Sequence, residues 1–133
     1  MDIKKQIRQT AAQTLRNVRE RTGSRAIGYN VSTVAWIDRF IEKQRTVGLD
    51  QDTVDGLINN FGCLLGQCII ECHGGSWVNR DGSWAVQFDD RNAVFPFNKL
   101  QKQFEHGHDG GDSVLSMFNL VPKLFATKPW WKW

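Results

Sequence analysis

An Asp81-Gly82 pair set between alternating apolar residues constrains the fold of this chain more than any other feature. It lies within GGSWVNRDGSWAVQFDDRNAVFPFNK, residues 74–99. Both central positions of a tight hairpin need a positive φ, which Asp and Gly tolerate, so the pair predicts a two-residue turn. Such a turn sets Arg80 opposite Ser83, Asn79 opposite Trp84 and Trp77 opposite Val86. Trp77, Trp84, Val86 and Phe88 then share one sheet face. Gly74-Gly75 stops a helix ahead of the hairpin. Asp89–Asn92 turns the chain into a short third strand, Ala93–Phe95. Pro96 has no N–H for a ladder, so this strand ends there or lies at an edge.

Helices are expected on both sides of the sheet. Ile3, Ile7, Ala11, Leu15 and Val18 repeat at helical spacing between Asp2 and Arg21, and Gly23 is a stop. Ser32 is a candidate cap for a second helix that buries Val34, Trp36, Ile37, Phe40 and Ile41 and ends before Gly48. A third helix is expected from Asp52 to His73, capped by Asp50 or Asp52. Its apolar set, from Val54 to Cys72, falls within an arc of about 140°. Gly62 and Gly66 lie on a second face, where a helix-interior glycine costs about 1 kcal/mol against Ala. They therefore predict the close approach of another element. Asn98 is expected to cap a short helix with Leu100 and Phe104 inward. EHGHDGG, residues 105–111, reads as a loop. Asp112 or Ser113 caps a last helix, disturbed by Pro122, with Leu124 and Phe125 in one further turn. The expected divisions of a single domain are thus 1–73 helical, 74–97 sheet, 98–127 C-terminal helices and 128–133 a Trp-rich tail. The fold class is α+β: N-terminal helices, a small antiparallel sheet and C-terminal helices packed on it.

A chain of 133 residues is long enough to bury a core without staples. Its net charge of +3 demands no anionic partner. The charge is unevenly placed, however. Residues 1–25 hold seven basic side chains against Asp2 and Glu20, a net +5, while 46–79 hold four acidic side chains and no Lys or Arg. Three cysteines, Cys63, Cys68 and Cys72, stand within ten residues. An odd, clustered set fits reduced thiols in the cytoplasm better than a secreted disulfide scaffold. No apolar h-region follows Met1, and polar residues break the longest apolar stretch, so neither a signal peptide nor a membrane span is expected.

No motif for nucleophilic, phosphate-binding or zinc-protease chemistry is present. Cys68-x3-Cys72-His73 could lend ligands to zinc, but both thiols fall on the apolar arc and read as core. His106-x-His108-Asp109, with Asp112 nearby, could hold a transition metal, but also reads as an ordinary polar loop. No catalytic residue, metal or cofactor is assigned. The basic first helix could place Arg8, Arg16 and Arg19 on phosphates. Its charges are not interleaved with aromatics, so nucleic acid is disfavoured against a solvated face. Trp130, Trp131 and Trp133 either fold back over the sheet or enter a partner or a second copy of the chain.

Four segments carry a resemblance: LLGQCIIECHGGSW, DGSWAVQF, VFPFNKLQKQFEHG and the DS before the last helix. Together they resemble a small α+β domain of bacterial proteins of uncharacterised function, and that kind of domain is similar to the cognate immunity proteins encoded beside secreted toxins. The resemblance implies a binding role without catalysis. The expected function is toxin neutralisation in the bacterial cytoplasm. The candidate contacts are Asp89, Asp90 and Arg91 at the strand turn, Asp109 in the loop and the three tail tryptophans. The alternatives are a small metal-dependent enzyme using Cys72, His73, His106, His108 and Asp109, or a nucleic-acid-binding module.

Overall fold

A computed structural model of the chain describes residues 2–125. The tail carrying Trp130, Trp131 and Trp133 lies outside the described residues. Among the described residues, five α-helices and one three-stranded antiparallel sheet make an α+β fold. No described helix is long and apolar enough to cross a membrane.

The first helix, α1 (Ile3–Thr22), is capped by Asp2, whose carboxylate accepts from the Lys5 amide, and it stops at Gly23 in the left-handed region. It buries Ile7, Ala11, Leu15 and Val18. The second, α2 (Val31–Val47), starts one residue before the expected cap. Asn30, not Ser32, accepts from the Thr33 amide, and Ser32 is already helical. The amide side chain can hold Thr33 because the connector is itself fastened, with the Gly28 amide donating to Thr33 Oγ1. The third, α3 (Gln51–His73), is capped by Asp50 and runs through the middle of the core, with Leu64, Leu65, Cys68 and Ile69 fully buried.

Strands β1 (Ser76–Arg80) and β2 (Ser83–Gln87) pair in the register that the two-residue turn requires, with Arg80 opposite Ser83 and Trp77 opposite Val86. Asp81 takes φ 54° and Gly82 φ 89° at the turn. β3 (Ala93–Val94) pairs with the far side of β2.

Helix α4 (Pro96–His106) begins two residues earlier than Asn98. Pro96 occupies its first turn, where a ring-locked φ suits the helix and the missing N–H has no partner to lose. The sheet segment therefore stops at Val94, not at 97. Helix α5 (Val114–Leu120) is capped by Ser113, and a 3-10 turn over Val121–Phe125 accommodates Pro122.

Two glycines of α3 position the sheet and α4. A Cβ on Gly66 would stand 2.0 Å from the Trp77 ring, and one on Gly62 would stand 2.1 Å from the Phe97 ring. The two rings lie 5.8 Å apart, so they form one aromatic layer pressed on the helix backbone. Trp77 is further fixed by its indole N–H, which donates to Gln67 Oε1 at 2.8 Å. A methyl at either glycine forces this layer outward. Gly66→Ala and Gly62→Ala are each expected to lower stability by about 1–3 kcal/mol, although alanine favours the helix. Urea unfolding of the two variants measures this.

Candidate functional site

The residues singled out at exposed turns stand apart from one another. Asp89 is held within its own turn. Its carboxylate accepts from the amides of Arg91 and Asn92, both at 2.8 Å, and from the Asn92 side chain. The Asn92 side chain, followed by the Arg91 amide, holds the Asp89 carboxyl below the usual carboxylate range. Asp90 and Arg91 project into solvent beside it. Asp109 is exposed in a 3-10 turn, His108–Gly110, after α4. No hydrogen bond or ion pair among the described residues joins it to the Asp89–Arg91 turn.

A dense polar cluster instead forms where α2, α4 and the start of α5 meet, and it is built on three residues that the sequence did not point to: Asp38, Glu42 and Gln103. Asp38 is 4% exposed on the inner side of α2. Its Oδ2 lies 2.6 Å from His108 Nε2. Its Oδ1 accepts from Ser113 Oγ at 2.7 Å and from the Leu115 amide at 3.3 Å. One carboxylate thus serves the loop and the N-terminal turn of α5, where free amides favour negative charge. Gln103 is fully buried. Its oxygen accepts from the Val114 amide, and its nitrogen donates to Glu42 Oε2 and the Asp38 carbonyl. Glu42 Oε1 accepts from the His108 amide at 3.0 Å. Arg45, on the same face of α2, donates to the Phe104 carbonyl at the end of α4.

His106 and His108 diverge. His106 Nδ1 lies 2.9 Å from Asp112 Oδ2, and Lys99 donates to the other Asp112 oxygen at 2.8 Å. His108 turns away to Asp38, with Nδ1 3.9 Å from Glu42. No group of three or more His, Cys, Asp or Glu among the described residues could hold a metal ion.

Cys72 contacts the Tyr29 carbonyl, and the His73 ring packs 4.5 Å from Phe118. No hydrogen bond or ion pair among the described residues joins Cys72 or His73 to His106, His108 or Asp109. Burial pushes the Cys63 thiol up to about 11 and the Cys68 thiol to about 12.

The order of groups in the cluster limits its chemistry. A nucleophilic triad needs the imidazole between hydroxyl and carboxylate. Here the carboxylate of Asp38 stands between Ser113 and His108, and among the described residues it is Asp38 that accepts the Ser113 proton. Both His108 nitrogens face carboxylates. The arrangement suits a brace that ties the 107–113 segment to α2. No protein-family model, curated protein or solved structure matches the chain.

Asp38→Ala is expected to lower stability by about 2–3 kcal/mol, because it strips partners from a buried amide region and a hydroxyl at once. Thermal unfolding measures it. Asp50, Asp89 and Asp112 all sit below their ordinary carboxylate values. For Asp112 the cause is Lys99 first and His106 second. A depressed folded value means stabilisation that is full above about pH 4 and lost as pH falls through the folded values. The urea midpoint is therefore expected to fall below about pH 4, and less steeply in Asp112→Asn. Exposed Cys72 is expected to react with a thiol reagent in the native protein. Cys63 and Cys68, with a thiolate fraction at pH 8 of about one in a thousand or less, are expected to react only on unfolding.

Proposed function

We propose that this chain is a non-catalytic binding protein that acts as a bacterial immunity protein, neutralising a cognate secreted toxin in the cytoplasm. The observation that supports this reading most is how the polar groups divide. Inside the fold, Asp38, Gln103, Glu42, His108 and Ser113 satisfy one another. Outside, Asp90, Arg91 and Asp109 stand at exposed turns with no ion pair among the described residues. Charges left free on rigid turns steer a protein encounter, and a few anchors then hold the complex. The rigidity has a source: Asp89 locks the turn that carries Asp90 and Arg91, and the Asp38 brace locks the segment that carries Asp109.

The test is binding of the purified chain to the toxin domain encoded beside its gene. A one-to-one complex is expected, with an association rate that drops at least about tenfold between low and high salt. Asp90→Lys with Arg91→Glu is expected to slow association more than dissociation. No complex with that domain overturns the reading.

A further inference from the structure

Helix α3 contains a third glycine that the fold does not use. Gly62 and Gly66 receive aromatic rings, but Gly56 is exposed, and a Cβ there would meet nothing within 4 Å. A glycine inside an exposed helical turn weakens the helix, and its benefit is to let another backbone come near. Among the described residues none does so at Gly56.

The surroundings of Gly56 are also unfinished. No residue of Gln51–Asn60 is fully buried, and Leu57 and Ile58 pack only on the edge of the core. Asn60, one turn after Gly56, lines a cleft of about 180 Å³ with Trp36, Phe40, Leu57 and Arg21. Trp36 stacks on Phe40 at 5.0 Å, and the Arg21 guanidinium lies 5.5 Å from the Phe40 ring centre. Asn59 lines a second cleft, of about 510 Å³, with Trp84 and Phe97. The turn of α3 that follows the bare glycine therefore borders two half-open aromatic clefts, each also lined by α1.

Charge says what fits there. Arg39 and Lys43 follow Trp36 and Phe40 along α2 at helical spacing. With Arg21 they make a basic rim, and no carboxylate among the described residues pairs with any of the three. On the first turns of α3, Asp52 and Asp55 precede Gly56 and pair with no cation among the described residues; Asp55 accepts from Gln51. One molecule thus offers an acidic helix with a bare glycine, and beside it a basic rim around an aromatic cleft.

We propose that a second copy of this chain covers this face, in a two-fold dimer whose α3 helices cross at Gly56. A two-fold axis matches the same patch to itself. Each acidic tip then meets the basic rim of the other copy. The inference stands on this face alone and does not rest on the toxin-binding reading.

Sedimentation equilibrium on the full chain, from micromolar to millimolar concentration, tests it. A dimer that weakens with salt is expected. Gly56→Leu is expected to weaken it at least about tenfold. Helical circular dichroism and melting temperature show whether that variant folds, and the melting temperature of its monomer is expected not to fall. Asp52→Lys with Asp55→Lys makes tip and rim both basic, and Arg21→Glu with Lys43→Glu makes both acidic. Each of these is expected to be monomeric alone, and an equal mixture is expected to form a heterodimer. A wild-type chain that stays monomeric throughout overturns the proposal and leaves the face to an acidic helix of another protein. A dimer indifferent to Gly56→Leu and to both charge reversals overturns it too, as does a mixture that stays monomeric.

Discussion

Two aromatic rings lying on bare helix backbone hold this architecture together. Trp77 comes from the hairpin and Phe97 from the helix after it, and both need a glycine beneath them on α3. The close approach brings sheet and helix α4 onto the same side of the central helix. It also takes Trp77 deep enough that its N–H needs an internal acceptor, which Gln67 supplies. Leu64, Leu65, Cys68 and Ile69 are fully buried around the rest of the helix, which packs on α1 and α2 as well as on α4. The weak helical propensity of two glycines is offset by ring packing that no larger residue would allow.

The second organising element is the Asp38 carboxylate. It connects three pieces of chain by three hydrogen bonds, and Gln103 repeats the pattern one layer deeper. Groups so mutually satisfied rigidify the region in which they lie. Their effect here is to fix a glycine-rich segment, 107–111, that local preference would leave loose. Gly107 shows how closely it is held: at φ 65° it sits against the Arg45 guanidinium, where a Cβ would have no room.

Local signals in the sequence were strongest where the chain obeys short-range rules. The Asp81-Gly82 turn set the register of the hairpin residue for residue, and the helix periods of α1 and α3 set their inner faces. Gly62 and Gly66 announced close approach but not what approaches, because Phe97 is 35 positions away from Gly62. The caps of α2 and α4 were misplaced for a related reason. Ser and Asn cap helices about equally well, but Asn30 has the fastened backbone behind it, and Pro96 starts a helix with no side-chain cap at all. The polar cluster was the least legible part. Asp38 and Gln103 look like ordinary polar residues on amphipathic helices. Only the meeting of α2 with α4 and α5 makes them interior. The histidines drew notice as a pair, but the fold separates their partners.

The brace also carries a consequence for how the chain comes together. Asp38 finds His108, Ser113 and Leu115 across separations of 70, 75 and 77 residues. Closing so wide a loop is entropically unfavourable, and contacts of this range form after local ones. On a growing chain, α1, α2, α3 and the hairpin are all complete before Ser113 exists. Until then the carboxylate that ends up almost sealed from solvent must stay hydrated on the open flank of α2. Its burial therefore waits on α5, the last of the described helices, to cover that flank of α2.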